Sequence, residues 1–489
     1  MEHDPFNPAP RKSLVQRFQE KLAASRFLTF SLLLHVVLVV MGGSVVLFKQ
    51  YVAPPDFAPD GPLVGSETAV RPPEPEVVQV TETLTQTQPN ISAPTVSAIV
   101  STTTQASSYQ LVSAPMPMVK SLGEAKLGEL PKATAVGIAK GLPATMAGRA
   151  GGTARAAAMK MSGGKDASEK AVMAGLRWLK QNQKEDGSWG ANYVSAMTGL
   201  GVLCFLGHGE TPEAPEFGPT VKKGVDWLLK KGNEFDGRMS LTKGQFPSHG
   251  GVYEHAIATY AMCEYYSMTK DERLVGLVKK AVTHIVEGQA PDGGWQYAYA
   301  KGIDSDTSVS GWQIQALKAA HLTQLNIPGV DEALDKAMLN LKRVQGPKGG
   351  FGYRKAEDRY SLTGVGVLCT YFWKQDKDKV VKDGIEFLLK QAEDTYRVKY
   401  KGDHADLYAW YYHTQACLMY GGSAWSKWNR MFQDEIASSQ SPDGSWPIVG
   451  GKGGPGGLEV NAGGSGPVYR TALCVLMLEV FYRYMPTNK

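Results

Sequence analysis

Cysteine is scarce in this chain: five residues in 489, with no Cys-x-x-Cys pair and no spacing of a metal knuckle. That excludes a disulfide framework and the Cys-rich zinc sites. Charge is nearly balanced, with 52 Lys and Arg against 47 Asp and Glu, and no basic run interleaves with aromatic residues. Nucleic acid is therefore excluded as a partner. Residues 27–48 lack Asp, Glu, Lys and Arg altogether. An uncharged apolar run of 22 residues is long enough to span a bilayer.

The basic residues Arg11, Lys12, Arg17, Lys21 and Arg26 precede that run, and only Lys49 follows it closely. The asymmetry predicts a single-pass helix with residues 1–26 in the cytoplasm and everything beyond Gln50 outside it. A cleaved signal peptide is the alternative, but the run is long for one and lacks a clean cleavage site. Within the run, Ser31 and His35 stand four apart on one helical face. An ionisable residue at membrane depth is a candidate for function. Ser31-Leu-Leu-Leu-His35 resembles the Ser-x-x-x-His of the TonB anchor. That resemblance implies a bacterial inner-membrane protein with a periplasmic body, coupled to an ExbB/ExbD-like proton channel. The plain reading is a membrane helix that tolerates a Ser and a His.

Residues 49–165 change to Pro, Thr, Ser, Ala and Gly, opening with Pro54-Pro55 and Arg71-Pro-Pro-Glu-Pro75. Such a stretch buries too little apolar surface to fold alone, and it reads as a linker. A flexible chain of that length has a root-mean-square span of about 55–60 Å.

One heptad is written three times beyond the linker: Gln183-Lys-Glu-Asp-Gly-Ser-Trp189, Gln289-Ala-Pro-Asp-Gly-Gly-Trp295 and Gln440-Ser-Pro-Asp-Gly-Ser-Trp446. A looser copy, Gln345-Gly-Pro-Lys-Gly-Gly-Phe351, replaces Asp by Lys and Trp by Phe. Each copy follows an amphipathic stretch and precedes a more apolar one. Asp-Gly supplies a tight turn that ends a helix, and the heptad is the corner between two helices. Six pairs follow. Amphipathic outer helices are expected at about 168–183, 219–232, 272–289, 331–345, 377–392 and 424–440. Apolar inner helices are expected at about 193–207, 252–268, 307–323, 360–374, 405–420 and 467–484. Six outer-then-inner hairpins predict an all-α (α/α)6 toroid over 166–485. The five cysteines fall one each in five inner helices, at equivalent apolar positions, and read as small core residues.

The heptad resembles the QW repeat of the terpenoid cyclase and protein prenyltransferase superfamily, which includes squalene-hopene cyclase. The resemblance implies a central cavity with polar and aromatic groups at the mouth formed by the inner-helix amino ends. Candidate pocket residues there are Tyr253, Glu254, His255, Trp312, Arg359, Tyr360, Tyr408, Tyr412, His413 and Arg470. Convergent polar groups in an aromatic cavity are the usual mark of a ligand site.

Two enzymatic precedents each lack their decisive residue. Class II cyclases protonate an alkene with the middle Asp of Asp-x-Asp-Asp-Thr. The segment here is Ile303-Asp-Ser-Asp-Thr307, which puts Ser305 at the donor when the threonines align. Asp304 and Asp306 are the candidate acids under a shifted alignment, with Asp306 equally readable as a helix cap. Asp306-Thr-Ser-Val-Ser-Gly-Trp-Gln313 and Tyr412-His413-Thr414 resemble the zinc-binding segments of protein prenyltransferases, but Ser308 replaces the cysteine ligand. No metal and no cofactor is expected. The thioester Gly-Cys-Gly-Glu-Gln of complement-type toroids does not occur. The sequence thus predicts a membrane-anchored, extracytoplasmic ring that binds a ligand or protein. A cyclase-like enzyme acting on a lipid or isoprenoid is the alternative, and a zinc prenyltransferase a weaker one.

Overall fold

The heptads set the geometry of the ring. In a computed structural model, residues 142–240, 251–374, 377–447 and 466–485 are described. The apolar run, Ser31, His35 and most of the linker lie outside those residues. A short helix, α1 (Gly152–Ser162), is followed by the alternating outer and inner helices. The outer helices are α2 (Asp166–Gln181), α4 (Gly218–Glu234), α6 (Val275–Gly288), α8 (Val330–Val344), α10 (Lys379–Asp394) and α12 (Gly422–Ser438). The inner ones are α3 (Val194–His208), α5 (Gly251–Thr269), α7 (Thr307–Leu322), α9 (Tyr360–Lys374), α11 (Leu407–Tyr420) and α13 (Gly466–Leu478), the last continued by α14 (Val480–Arg483). Inner helices pack successively against one another, and α13 returns to α3. Outer helix α12 likewise meets α2, so the six hairpins close on themselves.

Each corner fastens one hairpin to the next by the same bonds. The Gln183 amide donates to its own turn at Gly187 O (2.9 Å) and to Thr220 O (3.0 Å) on the next outer helix. Gln289 does so to Gly293 O and Ala333 O, Gln345 to Gly349 O and Val380 O, and Gln440 to Gly444 O and Ala171 O. The last of these joins hairpin six to hairpin one. The indoles of Trp189, Trp295 and Trp446 donate to the carbonyls of Leu179, Ile285 and Ile436, ten residues back in the preceding helix. One buried side chain thereby satisfies a free helix-end carbonyl and fills the corner.

The turn glycine has no substitute. Gly187, Gly293, Gly349 and Gly444 all hold φ between 91° and 95°, which side-chain-bearing residues rarely adopt. A Cβ on each would lie 2.3–2.4 Å from a backbone carbonyl of the next outer helix. In the looser copy, Lys348 leaves the turn without its carboxylate, and Asp358 takes that place. Its carboxylate accepts the Lys348 and Gly350 N–H groups at 2.9–3.1 Å, as Asp186 accepts Ser188 N–H. A further corner was illegible as a heptad: Asn233-Glu-Phe-Asp-Gly-Arg-Met239 has the same spacing with Asn for Gln and Met for Trp. Its Gly237 has φ 82° and presses on Lys280 of α6, and Met239 is buried.

Helix ends fall within three residues of the sequence-based ones, except that the last inner helix breaks at Glu479. Two readings change. The sequence places residues 142–165 in the linker, yet Ala144–Arg149 forms a 3-10 turn and α1 a helix, both packed on the ring. The cysteines are all free and buried, but Cys204 and Cys369 share a register that Cys263 and Cys474 do not. Each follows by six residues the threonine, Thr198 or Thr363, that accepts the corner amide of Trp189 or Phe351. Cys263 and Cys474 follow their counterparts, His255 and Thr471, by eight and by three.

Gly444→Ala should lower the unfolding free energy by about 1–3 kcal/mol, the usual cost of forcing a disallowed backbone. Gly276→Ala, on an exposed turn of α6 with open space at its Cβ, should raise it by about 0.5 kcal/mol. Urea denaturation of the two variants tests the contrast, and a change of the same sign in both would contradict it.

Candidate functional site at the mouth of the ring

Asp306 caps the amino end of α7. Its Oδ1 accepts the Ser308 N–H at 2.7 Å, the Val309 N–H at 3.3 Å and the Ser308 hydroxyl. Capping places a carboxylate where the helix end is positive, and here the group is fully buried. Burial raises its pKa, against the bonds from Ser308 and Tyr353 that favour the ionised form. A chain of phenols surrounds it. Tyr253 shares a 2.9 Å bond with Ser308, Tyr253 reaches Tyr297 at 3.4 Å, and Tyr297 reaches Tyr353 at 3.4 Å. Arg354 and Arg359 lie over the Tyr353 ring at 5.1 and 5.7 Å. Tyr297 and Tyr353 were missed in the sequence, although each stands two residues beyond a corner aromatic, Trp295 or Phe351.

The other carboxyls divide. Asp304 is exposed, with its backbone carbonyl bonded to Gln296, and so does not join Asp306 as a second acid. Ser305 donates its hydroxyl to Asp292 of the corner, which explains a serine there without reference to catalysis. Asp406 caps α11 through the Ala409 N–H at 2.8 Å, and burial pushes it up to about 7. Glu254 accepts the Ser195 N–H at 3.2 Å, and burial pushes it up to about 8.

Both candidate histidines belong to the scaffold. His255 Nδ1 accepts the Met239 N–H at 3.0 Å, and its Nε2 donates to Ala281 O at 2.9 Å. It thus serves the corner at Met239 as Thr198 serves the corner at Trp189, rather than lining a pocket. His413 donates through Nε2 to Tyr360 O at 3.0 Å. Burial lowers both imidazoles to about 3, so both are neutral. Arg470 donates to Trp446 O at 3.1 Å, Arg359 pairs with Glu357 at 2.7 Å, and Tyr360 stacks on Tyr396 at 4.5 Å. Among the described residues, no three His, Cys, Asp or Glu side chains come together as metal ligands would.

Side chains from inner helices that are not neighbours meet across the axis. Trp312 of α7 stacks on Tyr411 of α11 at 5.6 Å and meets Tyr412 edge-on at 5.7 Å. Gln315 of α7 donates to the Tyr412 hydroxyl at 2.9 Å and accepts from Tyr411 at 3.2 Å. Arg483, beyond α13, donates to Tyr260 of α5 at 2.9 Å. These side chains are at most 2% exposed. The middle of the ring is therefore packed with the protein's own aromatic groups.

No protein-family model and no curated protein matches the chain. Solved structures similar to it include the type II terpene cyclase MstE from Scytonema with geranylgeranyl dihydroxybenzoate: 12% identity, 65% of this chain, 98% of that one, TM-score 0.46. An α-1,6-mannanase of Salegentibacter with α-1,6-mannotriose is similar at 10% identity over 65% of this chain and 99% of that one, TM-score 0.46. The cellobiose 2-epimerase from Bacillus thermoamylovorans is similar at 12% identity over 62% of this chain and 95% of that one, TM-score 0.45. The ring architecture itself stands on the helices and corners described above.

Glu254 gives a signed pH dependence. Its folded pKa lies above that of an unfolded glutamate, so its neutral form stabilises the fold below about pH 4.5, and that contribution is lost as pH rises through about 8. Glu254→Gln should gain stability relative to the native chain over that window, by an amount on the order of a few kcal/mol. Denaturant midpoints at pH 5 and pH 8 measure it, and a constant difference between the two proteins would refute it.

Proposed function

We propose that the ring is a binding module rather than a cyclase, held outside the cytoplasm of a bacterial cell by the apolar helix 27–48 and the linker. The observation that carries this reading is the filled axis. A polyprenoid folding for cyclisation needs a lumen, and here Trp312, Tyr411, Tyr412 and Gln315 join across it. At the mouth, half-buried Tyr297 stands beside Tyr353 and its two arginines, with the Glu254 carboxyl uncharged at neutral pH. Such a surface suits a ligand or protein recognised by aromatic contact and neutral hydrogen bonds. Ser31 and His35 support coupling of the anchor to an ExbB/ExbD-like proton channel.

The second reading is a terpenoid cyclase-like activity on a lipid or isoprenoid, with Asp306 as the acid. What favours it is a buried carboxyl held toward its protonated form among tyrosines and near the start of the helix that carries Trp312.

Full-length protein in detergent, incubated with squalene, should return the substrate unchanged. A cyclic product that disappears in Asp306→Asn would overturn the binding reading in favour of the second. His35→Ala should abolish co-purification with a proton-channel complex while leaving the ring folded. An undiminished complex would remove the coupling.

A further inference from the structure

The carboxyl ends of the inner helices carry a second cluster that neither reading uses. Arg149, in the turn Ala144–Arg149, passes its fully buried guanidinium under the ring. Its Nη1 meets Glu264 Oε2 of α5 at 2.6 Å, and its Nε donates to Arg483 O at 2.7 Å. Glu264 also accepts from Tyr484, and Arg483 lies 3.9 Å from it. The seat is shaped for the backbone that carries Arg149. A Cβ on Gly148 would lie 2.4 Å from Tyr482 O, and one on Gly209 would lie 2.3 Å from Arg149 O. The Met485 N–H bonds Thr145 O at 2.6 Å, so the turn and the chain's last described residue hold each other.

This seat is made differently from the rest of the ring. Residues 142–162 bury few apolar side chains: Met146, Ala154, Ala158 and Met159. Inner helix α5, by contrast, is buried along almost its whole length. The ionic network is also incompletely satisfied. Arg149 Nη2, Arg483 Nε and both carboxyl oxygens of Glu479 are buried without a hydrogen-bond partner. Burying charge without full pairing is costly, and a buried pair adds little net stability over apolar packing. A segment with thin apolar contact and an incompletely satisfied ionic seat is where opening short of global unfolding is easiest. Residues 142–162 are also where the linker joins the ring, so any displacement of the linker arrives there first.

We propose that residues 142–162 are a releasable strap, docked in cis on a seat built across the underside of the ring, that opens as a unit while the six hairpins stay closed. Its departure uncovers Tyr260, Glu264, Phe372 and Tyr484. A small cavity already lies there, with Thr145 of the strap as one wall and Tyr260, Phe372 and Tyr484 among the others. The uncovered seat is largely aromatic, and the Glu264 carboxylate is left to Arg483 and Tyr484 once the Arg149 guanidinium departs. In the closed state the strap covers that surface.

Hydrogen exchange of the full chain in detergent tests this, with Arg149→Ala as the loosened form and an oxidised Thr145→Cys/Met485→Cys cross-link as the locked form. Strap amides in the native chain should exchange at least about tenfold faster than those of α5 and α7. Arg149→Ala should accelerate the strap by about another tenfold with the inner helices unchanged, and the dye ANS should bind the variant. The cross-link should slow the strap to the rate of the inner helices and prevent dye binding. Equal exchange of strap and inner helices in the native chain would overturn the proposal. So would equal acceleration of both in Arg149→Ala. If Arg149→Ala does not fold, an unchanged strap rate on forming the cross-link overturns it alone.

Discussion

The ring depends on one constraint: at each heptad corner a backbone turn must lie flat against the next outer helix, with no side chain between them. Glycine at φ near 93° meets that condition, because any Cβ would stand within 2.4 Å of a carbonyl on the neighbouring helix. The corner glutamine then spends its amide on both sides of the contact, once on the turn and once on the next hairpin. Close approach and shared hydrogen bonds reinforce each other, since the bonds exist only at the distance that glycine allows. The same device joins hairpin six to hairpin one and so turns a row of hairpins into a closed ring.

Closure fixes what the inside can be. Six inner helices held at this spacing leave an axis, and here large side chains from inner helices that are not neighbours fill it. The polar groups of the inner helices are thereby pushed to the two ends. At one end carboxyls cap helices and carry raised pKa values, with phenols around them. At the other, arginines and glutamates meet the incoming and outgoing chain. The two ends therefore have different chemistry: helix-capping carboxyls among phenols at the mouth, and a buried Arg149–Glu264 pair beneath the strap.

The corners were legible because their chemistry is local. Gln, Asp-Gly and an aromatic at fixed spacing report a turn, and repetition reports the ring. Where the chemistry is supplied from elsewhere, the sequence was silent. Asp358 replaces the missing carboxylate of Lys348 from ten residues away, and Met239 fills a corner with no aromatic signal. The candidate site was legible only as a region. Asp306 and Tyr253 do meet at the mouth through Ser308, but the register of α5 turns His255 to a corner, and Asp304, in the loop before α7, is exposed. Arg149 was hidden for another reason. Its composition matches the linker, and only the seat under the ring makes it structural.

The central claim is that the corners, acting together, hold the ring as one unit. The seam corner tests it most directly, since Gln440→Ala removes two hydrogen bonds and little else. Equilibrium urea unfolding of this variant, followed in parallel by tryptophan fluorescence and circular dichroism, should show one coincident transition, less stable by about 1–3 kcal/mol. Two separated transitions, with hairpins one and six melting ahead of the rest, would contradict it.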